Sequence, residues 1–245
     1  MLSTLGSGDL LVEKTGATPA RVVALHGWAR TGADFAPIVE GLDAVAPHLW
    51  GFGITTAPPE AWGSEQYADA VAQALEGSAP VVIVAHSFGG RVAVHLAQKY
   101  PHLVAGLVLT GVPLVRLKAA PKPALGFRVV RSLAKAGLVP KSVLENQRRK
   151  HGSPDYLAAQ GVMRDILVRV VGENYDEQLA AIRVPVRMVW GENDTSAPAD
   201  AGAAASERIA ASAFRVVPGA GHLLEGDLRT AVRDELLALI DEVTA

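Results

Sequence analysis

Ser87 lies in the segment Ala-His-Ser-Phe-Gly-Gly, directly after the apolar residues 81–84 and before a run with helical spacing. A strand, a tight turn of small residues and a helix would hold its hydroxyl on a sharp bend at the end of the strand. A serine hydroxyl is a weak nucleophile, so it needs a base and an acid that orients the base. Two later residues, Asp194 and His222, are the candidates for these roles. The alternative for Ser87 is an ordinary serine that caps a helix.

Asp194 and His222 each follow a predicted strand, in Trp-Gly-Glu-Asn-Asp and Pro-Gly-Ala-Gly-His respectively. A carboxylate in such a place fixes the tautomer of an imidazole, and the imidazole then takes the serine proton and returns it to the leaving group. Glu192 is the competing acid, and Asp194 is favoured over it. The alternative for His222 is a surface histidine.

Trp28 follows another predicted strand, in the segment His-Gly-Trp. Its backbone N–H and that of Phe88 are predicted to form an oxyanion hole, in which each donor lowers the reaction barrier by roughly 2.7–4 kcal/mol. The alternative is a plain turn with a buried tryptophan. His86, the neighbour of Ser87, is expected to point away from it.

The elements that would position these residues alternate along most of the chain. Strands are predicted at residues 21–25, 44–46, 81–85, 104–110, 186–190 and 214–217, and helices at 34–42, 64–76, 88–100, 199–211 and 228–243. Strands that alternate with helices of this length predict an α/β fold, a mostly parallel sheet with helices on both faces.

Residues 112–182 break the alternation with five prolines and helical pieces between them. They are predicted to form a helical cap, inserted into a core made of residues 1–111 and 183–245. The alternative is a separate interaction module.

The predicted cap contains a basic window, residues 116–150, with ten Lys or Arg residues against one acidic residue. The net charge of the whole chain is only −2. This asymmetry indicates an anionic partner or surface, and the alternative is a solvated surface. Phe127 is the one aromatic residue in the window, which is too few to stack bases, so a nucleic-acid partner is not expected. A membrane-lying helix over residues 127–138 is a further alternative.

The composition excludes several classes of site. The 245 residues include no cysteine, which excludes a disulfide framework, a thiolate metal site and a cysteine nucleophile. We see neither a signal peptide nor an apolar run near the roughly 20 residues that span a bilayer, so a cytoplasmic location is expected.

Taken together, these motifs resemble the α/β-hydrolase-fold serine hydrolases over about residues 22–239. More loosely, the chain is similar to carboxylesterases such as the pimeloyl-[acyl-carrier protein] methyl ester esterases. The resemblance implies a triad of Ser87, Asp194 and His222, oxyanion donors from Trp28 and Phe88, and hydrolysis of a small acyl ester through an acyl-enzyme. It implies no metal and no organic cofactor.

The substrate class stays open at the level of the sequence. A thioesterase acting on carrier- or CoA-linked acyl groups, a C–C bond hydrolase and a non-catalytic ligand receptor are the alternatives. An apolar acyl pocket is predicted from six residues, for each of which core packing is the alternative: Phe35, Trp50, Phe52, Leu114, Leu117 and Phe127.

Overall fold

The computed structural model describes residues 1–6, 10–117, 132–134, 136–140, 142–143 and 153–244. Within these residues, eight strands form one sheet, in the order β1-β2-β4-β3-β5-β6-β7-β8. The strands are β1 (Leu2–Leu5), β2 (Leu10–Thr15), β3 (Val22–Leu25), β4 (Ala44–Pro47), β5 (Val81–His86), β6 (Val104–Thr110), β7 (Val186–Gly191) and β8 (Ser212–Val217). β1 and β2 run antiparallel to their neighbours, and the strands from β4 to β8 are parallel. This mostly parallel sheet confirms the predicted α/β class.

Helices cover both faces of the sheet. They are α1 (Ser64–Ala74), α2 (Phe88–Lys99), α3 (Pro154–Ala158), α4 (Gly161–Val171), α5 (Asp176–Ala181), α6 (Ala199–Ser206) and α7 (Gly226–Thr244). α1 and α2 contribute to the apolar cluster on one face, and α7 contributes to the cluster on the other. None of the helices that the structure describes combines the length and apolar character needed to cross a membrane.

The central strands are buried on both sides because their residues alternate between two apolar clusters. Val23 and Leu25 of β3 face the cluster that contains Phe88 of α2. Val22 of β3 faces the opposite cluster, which contains Leu236 of α7. Successive side chains of a strand point to opposite faces, so a continuous apolar run is what such a strand requires. The carboxyl ends of these strands are thereby fixed at one edge of the sheet.

The helix predicted at residues 34–42 is wrong. Only a 3₁₀ helix, Gly32–Phe35, forms there, and turns follow it. Pro37 lacks the N–H that an α-helix needs at this point. Gly41 has a φ of 78°, which is outside the helical region. The strands β1 and β2 were not predicted. β1 is partly exposed and has no apolar run that would indicate a strand.

The described residues between β6 and β7 include the helices α3, α4 and α5. The division into a core and an inserted cap stays a prediction. Of the basic residues in the window 116–150, only Arg116 lies among the described residues, and Phe127 also lies outside them.

Candidate active site

Ser87 is the single residue between β5 and α2, and its backbone is strained. Its φ of 51° and ψ of −114° lie in a backbone region that residues other than glycine rarely adopt. Holding a residue there costs about 1–3 kcal/mol. Its side chain makes no capping hydrogen bond to the helix. The reading of Ser87 as a helix-capping serine is therefore wrong. The bend turns the residue toward a cavity at the carboxyl edge of the sheet.

Close packing around this bend explains the small residues that follow the serine. A Cβ atom on Gly89 would lie 2.2 Å from the carbonyl oxygen of Leu25 at the end of β3. The added Cβ would collide with a backbone atom, which cannot rotate away, so no other residue fits at position 89 without moving the helix or the strand. Gly89 thus lets the first turn of α2 lie directly over β3, beside the segment that contains Trp28.

His222 and Asp194 form a hydrogen-bonded pair at the same edge. Nδ1 of His222 donates to Oδ2 of Asp194 over 2.8 Å, which leaves Nε2 as the basic nitrogen of the ring. The side chain of Asp194 is 1% exposed, and its Oδ1 accepts two backbone hydrogen bonds, from Ser196 and Ala197, at 2.8 Å each. Glu192 instead accepts a hydrogen bond from the backbone of Gly219 and is exposed. The structure therefore pairs the favoured acid, and not its competitor, with the histidine.

A cavity of about 500 Å³ brings the candidate nucleophile and base together. Ser87, His222, Trp28 and Phe88 all line it. The backbone N–H groups of Trp28 and Phe88 have no backbone acceptor among the described residues. The N-terminus of α2 adds the positive end of its dipole at the same place. Such an arrangement can stabilise a negative charge that develops on a carbonyl oxygen.

Two buried histidines support the segments that line the cavity. His26 donates from Nδ1 to the carbonyl of Gly27 (2.7 Å) and accepts at Nε2 from the backbone N–H of Leu49 (3.0 Å). Burial lowers the pKa of His26 to about 4. A neutral ring is also what these hydrogen bonds require, because Nε2 must keep its lone pair. His26 thereby ties the segment before Trp28 to the loop after β4.

The sequence led us to expect that His86 points away from Ser87. In the structure its side chain instead contacts the segment that contains His222. Its Nε2 donates to the backbone carbonyl of His222 over 2.9 Å, and the centroids of the two rings are 4.7 Å apart. Burial, followed by the proximity of His222, lowers the pKa of His86 to about 4. The side chain next to the candidate nucleophile therefore holds the loop of the candidate base.

The structure places most of the residues predicted for the acyl pocket outside the cavity that contains Ser87. Phe35 is fully buried in the apolar cluster on the α7 face of the sheet. Leu114 is packed in the other cluster, Leu117 is half-exposed, and neither lines the cavity that contains Ser87. Trp50 lines separate clefts beside Trp62. The prediction for Phe127 falls outside the described residues.

Phe52 lies closer to the site than the other predicted pocket residues. It lines an adjoining cavity of about 440 Å³ together with Met163, and Trp28 contributes to both cavities. The rings of Phe52 and Trp28 pack edge to face, with their centroids 4.9 Å apart. The sequence reasoning missed Arg91, which lines the same cavity as Ser87. Its position four residues after Ser87, one turn along a predicted helix, is the signal that could have found it.

Comparison with known proteins agrees with this fold. The model of the alpha/beta hydrolase family matches residues 22–235. The chain is 34% identical over 189 residues to Lipase LipV of Mycobacterium tuberculosis, covering 71% of this chain and 63% of that protein. It is 33% identical over 111 residues to a pimeloyl-[acyl-carrier protein] methyl ester esterase of Xylella fastidiosa, covering 42% of this chain and 41% of that protein. The chain thus spans less than two thirds of either relative's length.

A solved structure shares the fold over the whole chain. A thermophilic esterase from Thermogutta terrifontis superposes with a TM-score of 0.70 at 23% identity, and the alignment covers 100% of this chain and 99% of the other. The predicted fold class and the resemblance seen in the sequence are both confirmed. Because the family model matches most of its length, the chain belongs to the alpha/beta hydrolase family.

Proposed function

We propose that this chain hydrolyses carboxylic esters through an acyl-enzyme formed on Ser87. The observation that carries the proposal is the single cavity that contains Ser87 and His222, with His222 hydrogen-bonded to the buried carboxylate of Asp194. A serine with an unengaged hydroxyl, a histidine with a free Nε2 and an orienting carboxylate are the parts that nucleophilic acyl transfer needs.

The first half of the reaction makes the acyl-enzyme. Ser87 Oγ attacks the ester carbonyl carbon while Nε2 of His222 takes the hydroxyl proton, and the carbonyl electron pair moves onto oxygen. The N–H groups of Trp28 and Phe88 bind that oxyanion. When the oxyanion collapses, the bond to the alcohol oxygen breaks and His222 gives its proton to the leaving alcohol. Asp194 keeps the imidazole in the required tautomer and stabilises its positive charge.

The second half repeats these steps with water. Nε2 of His222 removes a proton from water, which attacks the acyl carbon, and the bond to Ser87 Oγ breaks as the proton returns to the serine. The products are the carboxylic acid and the free enzyme. None of these steps calls for a metal or an organic cofactor, and the described residues contain no cluster of three or more His, Cys, Asp or Glu side chains placed to hold a metal ion.

Two relatives support ester substrates, since one is named a lipase and the other a methyl ester esterase. A thioesterase and a C–C hydrolase would use the same three side chains, so they remain the alternatives within this fold. A receptor without activity is the alternative from another class. An acidic acyl carrier at the basic window and a cytoplasmic location stay predictions. Activity on carrier-linked substrates that falls steeply with salt would support the carrier.

The test of ester hydrolysis compares initial rates on p-nitrophenyl esters of graded chain length. We expect turnover by the wild type and a loss of at least about 10³-fold in Ser87→Ala, because the nucleophile is gone. Ser3→Ala, a serine replaced in the edge strand β1 far from the cavity, is the matched control and keeps wild-type turnover. Turnover that survives Ser87→Ala would refute the assigned nucleophile. No turnover by the wild type on any ester would refute ester hydrolysis.

A further inference from the structure

A buried guanidinium lines the same cavity as the candidate nucleophile. Arg91 is on α2, four residues after Ser87, and only 7% of it is exposed. An α-helix rises about 1.5 Å per residue, so the Cα atoms of the two residues are roughly 6 Å apart along the helix. The two residues thus lie one helical turn apart and line the same cavity.

Arg91 donates hydrogen bonds to backbone carbonyls and forms no ion pair within the described part of the chain. Nη1 donates to the carbonyl of Val170 at the end of α4, and Nη2 donates to the carbonyl of Pro113 over 2.9 Å. The ring of Tyr175 lies 5.6 Å from Cζ. Glu173 is close enough for its charge to raise the pKa of Arg91, but it accepts its hydrogen bonds from Tyr175 and from Ser64. A second acid, Asp155, lines the cavity. Burial lowers the pKa of Arg91 by more than the nearby Tyr175 and Glu173 raise it, so the structure maintains this charge at an energetic cost.

Tethering of α4 does not account for the position of Arg91. Arg116 makes an equivalent contact, because its Nη2 donates to the carbonyl of Val171 at the end of the same helix. Arg116 is exposed and is not among the residues that line the cavity. An exposed arginine can therefore hold this helix end. A guanidinium carries five N–H donors in a planar fork that suits a carboxylate, and the two carbonyls leave some of them for a ligand.

We propose that Arg91 binds a carboxylate carried by the ester substrate, so that the preferred substrates are monoesters of short dicarboxylic acids. The proposal rests on the proposed ester hydrolysis at Ser87. The carboxylate would lie against the guanidinium while the ester carbonyl reaches Ser87 and the oxyanion donors. Binding at Arg91 fixes the orientation of the substrate and takes no part in bond breaking.

The test compares two esters of the same shape, monomethyl glutarate and methyl 5-methylhexanoate, in which an isopropyl group replaces the carboxylate. The value of kcat/KM is measured for each ester by proton release. In the wild type we expect the charged ester to be preferred. In Arg91→Gln the ratio of the two values should fall about 10- to 100-fold, as expected for the loss of a charge-assisted hydrogen bond.

Arg116→Gln is the matched control, because it removes a guanidinium from the same helix end but not from the cavity. Its ratio should stay within threefold of the wild-type ratio. Equal losses on both esters in Arg91→Gln would overturn the proposal and leave Arg91 as a tether. A wild type that prefers none of the monomethyl esters of succinate, glutarate and adipate over the matching neutral isostere would also overturn it.

Two further measurements keep the proposal testable if a variant fails to fold or the ester chemistry is wrong. In the wild type, glutarate should inhibit competitively at least 10-fold better than the neutral glutaramide, and equal inhibition would overturn the proposal. If the wild type hydrolyses neither ester, the proposed ester hydrolysis fails. Calorimetry of monomethyl glutarate with Ser87→Ala and with Ser87→Ala/Arg91→Gln then tests Arg91 separately, because Arg30 also lines the cavity. Binding that is lost in the double variant supports the anion site, and no binding to Ser87→Ala or equal binding to both overturns it.

Discussion

The imidazole of His86 donates a hydrogen bond from Nε2 to the backbone carbonyl of His222, 2.9 Å away, although the two residues are 136 positions apart. His86 is the last residue of β5 and immediately precedes Ser87, while His222 lies on a loop after β8. One side chain therefore joins the segment of the nucleophile to the segment of the base. The distance between Ser87 and His222 depends on this contact as well as on the sheet.

Replacing His86 should lower the turnover number more than it weakens substrate binding. We expect His86→Leu to reduce kcat about 10- to 100-fold with a smaller change in KM, because the loop of His222 loses one of its fixed points. His86→Gln keeps a donor near the position of Nε2 and should retain most of the activity. Steady-state kinetics on a p-nitrophenyl ester measure both. Wild-type kcat in His86→Leu would show that the hydrogen bond does not position the base.

Removing the charge of Asp194 should lower kcat far more than removing the charge of Glu192. In Asp194→Asn, the amide oxygen can still accept from Ser196 and Ala197, so the NH₂ group faces His222. The histidine must then present an unprotonated Nδ1, and its proton moves to Nε2, where it blocks proton abstraction from Ser87. We expect kcat to fall about 10⁴-fold, as for the same change in serine proteases.

Glu192→Gln is the control for that experiment. The glutamine can still accept the hydrogen bond from Gly219, and Glu192 makes no contact with His222 among the described residues. Its kcat should stay within threefold of the wild-type value. Similar losses in the two variants would contradict the assignment of Asp194 as the orienting acid.

The three candidate catalytic residues could be predicted because each lies at or shortly after the carboxyl end of a parallel strand: Ser87 directly after β5, Asp194 three residues after β7 and His222 five residues after β8. The strand at residues 104–110 was predicted with its observed bounds, since buried parallel strands are continuous apolar runs. The carboxyl ends of such strands meet at one edge of the sheet. Local patterns therefore suffice to bring together Ser87, Asp194 and His222, which are far apart in the sequence.

The walls of the cavity could not be predicted in this way, because they depend on which way single side chains point after the chain has folded. Phe35 was expected in the pocket, but the short 3₁₀ helix at Gly32–Phe35 directs it to the opposite face of the sheet. Arg91 and His86 have partners 79 and 136 residues away. Hydrophobic periodicity records which face of an element is buried and does not record such long-range pairs.

Acid should destabilise the folded state through the two buried histidines. Burial lowers the pKa of both His26 and His86 from 6.5 to about 4, so between these values only the unfolded chain binds the protons. Their contribution to stability is complete above pH 6.5 and is lost as the pH falls toward 4. Each histidine should cost the fold about 2 kcal/mol of unfolding free energy between pH 7 and pH 5.

Urea denaturation at pH 7 and at pH 5 measures this effect. The fall in unfolding free energy between the two pH values should be smaller in His86→Gln than in the wild type by about 2 kcal/mol, whatever the stability of the variant at pH 7. The comparison uses the difference between pH values, so a uniform destabilisation by the substitution cancels. An identical pH dependence in the two proteins would contradict a neutral, buried His86.

Gly111, directly after β6, should be required for the pairing of His222 with Asp194. Its φ is 59°, and a Cβ atom there would lie 3.0 Å from the imidazole of His222 and 3.2 Å from Oδ2 of Asp194. Gly111→Ala should therefore displace the imidazole and reduce kcat by at least about 10-fold.

Gly77→Ala is the matched control, because Gly77 has a φ of 80° and no atom within 4 Å of the added Cβ. Both variants place an alanine at a positive φ, which costs about 1–2 kcal/mol, so thermal denaturation of Gly77→Ala measures the loss of stability from backbone strain alone. Only the clash at Gly111 reaches the imidazole, so equal activity in the two variants would mean that the pair tolerates displacement.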